Sequence, residues 1–149
     1  MKENIIQQKS YDFALKIIEL YRKLVKENEY VLSKQILRSG TSIGANIEEA
    51  QAGQSRADFI SKMSIASKEA RETNYWLRLL RDSKTLDEAD VKSLLSESDA
   101  IIKILTSIVK STNESNSKLK IQNCLNVTAI VKSTNQNNSK SNIHNSKLP

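Results

Sequence analysis

Seven residues decide the fold class before the rest of the chain is read. Phe59, Met63, Ala66, Ala70, Thr73, Leu77 and Leu80 recur at alternating spacings of four and three. That rhythm keeps one face of an α-helix apolar for about six turns, long enough to form one wall of a helical core. Small residues fill the middle of this seam and large ones its ends, so a neighbouring helix can come close at the centre. A β-rich alternative needs turn residues at every hairpin. Three glycines and one proline, Pro149, do not supply them.

Three further helices follow from the same periodicity. The first is predicted from a cap at Ser10 to about Lys26, with Phe13, Ile17, Leu20 and Leu24 in one row and Ala14, Ile18, Tyr21 and Val25 in a second. The second covers Val31 to about Ala52, its buried side marked by Leu32, Ile36, Ile43, Ile47 and Ala50. Gly40 and Gly44 lie one turn apart within it. Each costs a helix interior about 1 kcal/mol relative to alanine, and close approach to a facing helix would compensate. That helix is expected to be the third, because its facing positions are small; a kink or helix break at Ser39-Gly40-Thr41 is the alternative. Gly53 is expected to cap the segment.

The seam helix should run from Ser55 or Arg56 to Asp82, and the fourth from Thr85 or Asp87 to about residue 110 along Val91, Leu94, Ser98, Ile101, Leu105 and Ile108. The prediction is an all-α, antiparallel up-down-up-down four-helix bundle over residues 1–110.

Off the seam, the third helix carries Ile65, Tyr75, Trp76 and Leu79 on the side that solvent would occupy in a lone bundle. Burying one large apolar side chain is worth roughly 1.5–3 kcal/mol, so such an edge calls for a cover. Either another part of the chain or a second copy provides it, and these four residues are the candidate oligomer interface. Asp58–Lys62, Lys68–Glu72 and Arg78–Asp82 are spaced to pair along the same helix.

Residues 111–149 form a separate Asn/Ser/Lys-rich segment. Residues 106–123 recur at 128–145 with twelve of eighteen positions identical. Two copies with few apolar residues do not make a solenoid, so a low-complexity, disordered C-terminal tail is expected, with a phosphate-touching basic arm as the alternative. Of the net charge of +6, this segment holds +4 and the body only +2, so global steering toward polyanions is weak. His144, with no acidic neighbour, reads as solvated. One cysteine, Cys124, excludes an internal disulfide; there is no apolar run of membrane-spanning length, and Met1–Gln8 lacks a secretory apolar segment. A cytoplasmic protein with no membrane association is expected.

Catalytic devices are hard to find. Gly40, Gly44 and Gly53 match no phosphate-binding loop, and the bundle holds no histidine and no Cys–His pair. Glu69-x-x-Glu72 and Glu48-Glu49 could bind a metal through carboxylates alone or form ordinary ion pairs, and Asn46 reads as a hydrogen-bonded specificity residue. No catalytic residue, metal or cofactor is assigned, and the chain is read as a non-enzyme.

Tyr30 through Ala50, with Arg38-Ser39-Gly40-Thr41-Ser42-Ile43-Gly44-Ala45-Asn46-Ile47 at its centre, resembles the 23S ribosomal RNA intervening-sequence proteins. Ala57-Asp58-Phe59-Ile60 and Ile65 through Leu77 continue the resemblance, which covers about residues 5–110. It implies a four-helix bundle that assembles into a ring, a pentamer. It also implies similarity to the accessory proteins of diversity-generating retroelements, which bind a reverse transcriptase and nucleic acid. On that basis Lys34 and Arg38 of the second helix and Arg71 and Arg78 of the third become candidate contacts to RNA or DNA. The expected function is a non-enzymatic, ring-forming scaffold or adaptor with weak nucleic-acid binding. The alternative is an accessory factor that docks a protein partner, such as a reverse transcriptase, without touching nucleic acid.

Overall fold

The computed structural model describes residues 4–144, and among them there are four α-helices and no strand. They are α1 (Ile5–Lys26), α2 (Leu32–Gln51), α3 (Arg56–Asp82) and α4 (Glu88–His144). The chain divides into two compact units, Met1–Ser111 and Thr112–Pro149.

Cross-helix bonds in the first unit give the topology. Gln7 near the start of α1 donates to Glu48 near the end of α2. From α2 to α3, Ser39 meets Thr73 and Glu49 meets Lys62. From α3 to α4, Arg71 reaches Thr106 and Asn74 reaches Ser98. From α4 back to α1, Glu97 holds Lys16 and Asp90 holds Lys23. Across the last three pairs of helices one number rises as the other falls, and Ile17 lying against Gly40 gives the same sense for α1 and α2, so each helix is antiparallel to both neighbours. This is an up-down-up-down four-helix bundle.

The predicted seams form the core. Met63, Ala66, Ala70, Thr73, Leu77 and Leu80 of α3 are buried, with Phe59 partly so. They meet Phe13, Ile17, Leu20 and Leu24 of α1, Ile36, Ile43 and Ile47 of α2, and Val91, Leu94, Ile101 and Leu105 of α4. Ile6 and Leu86 complete it from outside the predicted rows.

The start of α1 differs from the expectation. The helix begins at Ile5, and Ser10 is a buried interior residue whose hydroxyl donates to the Gln7 carbonyl at 2.9 Å. Ile6 extends the apolar row two turns before Phe13, into residues the sequence reading left outside the helix. At the start of α2, Val31 provides no side-chain cap; the Glu29 carboxylate instead accepts from the Val31 and Leu32 amides, each at 2.8 Å.

The glycines also act differently. α2 is continuous through Gly40, with no break. A Cβ on Gly40 would sit 2.8 Å from Ile17 Cγ2, and one on Gly44 would lie 3.6 Å from the Ser10 hydroxyl. Both glycines therefore face α1, not α3. Gly53 is not a left-handed cap: no described glycine has positive φ. The left-handed positions fall to Asn28 (φ 65°) and Lys84 (φ 57°), each closing a Schellman turn. Glu29 N–H donates to Leu24 O and Asn28 N–H to Val25 O; Thr85 N–H donates to Leu80 O and Lys84 N–H to Arg81 O.

The fourth helix continues past residue 110 into the segment read as a low-complexity tail. No glycine or proline lies between Ser111 and His144 to stop it. Leu119, Ile121 and Leu125 of the second unit are exposed. Asn145, Ser146, Lys147, Leu148 and Pro149 lie outside the described residues.

Candidate assembly edge and nucleic-acid interface

The side chains singled out from the sequence sit on the two flanks of α3. The flank facing α2 is a charge cluster under an apolar edge. Arg38 pairs with Glu72 and, at 3.5 Å, with Glu69. The Glu69 contact lacks hydrogen-bond alignment, since its Oε2 is buried without a hydrogen-bond partner. Glu72 also accepts from the Trp76 indole N–H at 3.1 Å. That bond orients Trp76, whose ring is partly buried and packed on the core. One turn deeper, the hydroxyls of Thr73 and Ser39 lie 2.9 Å apart in the buried interface. Toward the other end of this flank Lys62 pairs with Glu49, and the hydrogen bond to that carboxylate, with its charge, holds the Lys62 ammonium above the usual lysine range.

Outside this cluster runs the edge. Tyr75 is 47 % exposed and Ile65 36 %, while Leu79 is half-buried. Tyr75 meets Trp76 edge-on, with centroids 5.1 Å apart, and the Arg78 guanidinium stands 6.0 Å from the Tyr75 ring centre. The antiparallel register that pairs residue 39 with 73 brings exposed Tyr30 and Val31, before α2, to the level of Arg81 and Asp82, just beyond Leu79 at the end of α3. Sequence periodicity missed these two because they lie outside any helix.

The flank facing α4 is polar and hydroxyl-rich. Arg71 donates to the Thr106 hydroxyl at 3.1 Å. Asn74 donates to Ser98 at 2.8 Å and Asp99 at 3.1 Å, and its oxygen accepts from Arg78 Nε at 3.1 Å.

The four candidate nucleic-acid residues therefore do not form one patch. Exposed Lys34 and Arg38 share a face of α2 one turn apart, and two carboxylates claim Arg38. Arg71 reaches to α4, while Arg78 bonds to Asn74 and stands beside Tyr75 within α3. None of the three pairings expected along α3 is an ion pair here: Lys62 goes to Glu49, Glu72 to Arg38 and Asp82 to Arg81. Partners on another helix, or next door, outcompete flexible neighbours one turn away, whose pairing is worth only a few tenths of a kcal/mol. The carboxylates considered for a metal are all engaged, Glu48 by Gln7, Glu49 by Lys62, and Glu69 and Glu72 by Arg38. Asn46 donates to the Ser42 carbonyl within its own helix at 2.8 Å. Among the described residues, no helix is long and apolar enough to cross a membrane.

Fold and flanks together define an antiparallel four-helix bundle whose third helix is apolar on its inner face and on one outer edge. The model of the 23S rRNA-intervening sequence protein family matches residues 2–107, and the chain belongs to that family. A crystal structure of a protein with unknown function from the S23 ribosomal protein family of Bacteroides thetaiotaomicron is similar, at 53 % identity and a TM-score of 0.69. The match covers 70 % of this chain and 98 % of that one. No curated protein matches the chain.

Proposed function

We propose that this chain is a non-enzymatic cytoplasmic scaffold. It assembles with copies of itself into a ring through the outer edge of α3, and it holds nucleic acid weakly. The observation that carries this reading is the edge itself: Ile65 and Tyr75 stay open to solvent although the bundle core is complete without them. A closed ring needs two unlike surfaces, because one self-complementary patch stops at a dimer. Tyr11 and Leu15, exposed one turn apart on α1, supply a second apolar surface and so favour the ring.

The test is sedimentation of the full chain across a wide concentration range, with RNA retention measured at rising salt. The reading expects one discrete oligomer and retention that weakens with salt. A monomer throughout contradicts the scaffold, and salt-independent retention contradicts phosphate contact.

One observation favours the protein-directed alternative. Arg38, though exposed, is paired with two carboxylates, which leaves that cation little attraction for phosphates. In that reading a partner such as a reverse transcriptase docks on the ring, and the assembled protein alone retains no nucleic acid.

A further inference from the structure

Four surface grooves are described on the first unit, and they differ in charge. The groove between α1 and α4 near Lys9 holds Asp12 and Glu97. The one at the α2–α3 turn holds Glu49 and Asp58, and the second α1–α4 groove holds Glu19 and Asp90. The α3–α4 groove, about 260 Å³, is lined by Ser64, Ser67, Arg71, Thr106, Val109 and Lys110, with no carboxylate.

We infer that this α3–α4 groove is the seat for a phosphate of a nucleic-acid backbone. The inference rests on the nucleic-acid arm of the proposed function and moves its contact point away from Lys34 and Arg38. Two cations face the groove with three hydroxyls between them, and such hydroxyls and guanidinium groups are what phosphate oxygens accept from. Arg71 is held in place by its bond to Thr106. A guanidinium has five N–H donors, so this bond leaves the others for a ligand, while the Thr106 hydroxyl, accepting from Arg71, keeps its own proton to donate.

The same flank continues the charge. Arg78 follows Arg71 by two turns on α3, and exposed Lys103 precedes Lys110 by two turns on α4. Each pair spans about 10 Å along its helix, a distance that takes in about three steps of a duplex strand. No aromatic side chain lines the groove, so stacking of unpaired bases is not what it offers. Backbone contact to a duplex, without sequence preference, is the mode that fits.

The test measures retention of a duplex RNA by the full chain against salt concentration, with a polyglutamate chain as an acidic-peptide probe. Three variants are compared: Arg71→Ala/Lys110→Ala, Lys34→Ala/Arg38→Ala, and Lys118→Ala/Lys120→Ala in the second unit. Each lost phosphate contact lowers the slope of log affinity against log salt by about 0.9, so the groove variant is expected to lose about 2. The other two keep the wild-type slope. Loss confined to the Lys34/Arg38 or Lys118/Lys120 variant overturns the groove while leaving nucleic-acid binding intact. Failure of the assembled wild-type chain to retain RNA at any salt removes the nucleic-acid arm itself. Polyglutamate binding that depends on Arg71 and Lys110, with no RNA binding, assigns the groove to an acidic peptide and overturns the inference.

Discussion

On the flank of α3 that faces α2, exposed Arg38 is paired with Glu69 and Glu72; on the flank that faces α4, Arg71 and Arg78 are bonded to the neutral groups of Thr106 and Asn74. The first arrangement neutralises its cation and leaves an apolar edge outside. The second pairs neither cation with a carboxylate, the Asp99 carboxylate on that flank being bonded to Asn74. One helix thus separates two roles that a count of basic residues merges. Counting arginines says little about polyanion binding until the acids across the helix interface are known.

Both flanks depend on the shared seam, and breaking it should have the largest effect. Leu77→Ala, in the fully buried seam, is expected to lower unfolding free energy by about 2–5 kcal/mol in denaturant titrations. Tyr75→Ala, two positions away on the exposed edge, should shift the same measurement in the dissociated chain by less than about 0.5 kcal/mol. Equal losses would mean the seam and the edge are not distinct.

The next effect belongs to the buried hydroxyl pair between α2 and α3. Thr73→Val leaves the Ser39 hydroxyl buried opposite a methyl group, which should cost about 1–3 kcal/mol. Adding Ser39→Ala should recover much of that loss; strict additivity of the two changes would refute the coupling. On the α1 side of α2, Gly40→Ala drives a methyl into Ile17 and should cost about 1–3 kcal/mol, whereas Gly44→Ala meets only ordinary contacts and should gain up to about 1 kcal/mol.

The smallest effect bears most directly on the contrast between flanks. Glu69→Gln/Glu72→Gln releases Arg38, and the salt slope of RNA retention should steepen by about 1 as that cation becomes available. An unchanged slope would show that the carboxylates are not what keeps the α2 flank from phosphates.

How much of this was legible beforehand follows from the range of each interaction. The α3 seam could be read directly, because helical periodicity is local and Met63 through Leu80 express it without a fault. The span of α3 was legible too, since Ser55 caps it through the Asp58 amide. The partners of Gly40 and Gly44 were not, because spacing shows that a glycine permits close approach but not which helix approaches. Asn28 and Lys84 were missed as left-handed caps because glycine is the usual signal there, and the chain does without it. The division of the basic residues was hidden for a similar reason: Glu69 and Glu72 lie over thirty positions from Arg38, and Lys110 nearly forty from Arg71.

The central claim is that the outer edge of α3 is covered by another copy of the chain. Native mass measurement of the full protein tests it, beside the exposed-site variant Ile65→Asp/Tyr75→Asp checked for retained helicity. The account predicts a discrete multiple of the 16.8 kDa chain that falls to a single chain in the variant. A single 16.8 kDa species in the wild type at every concentration, or an assembly that the variant leaves intact, would contradict it.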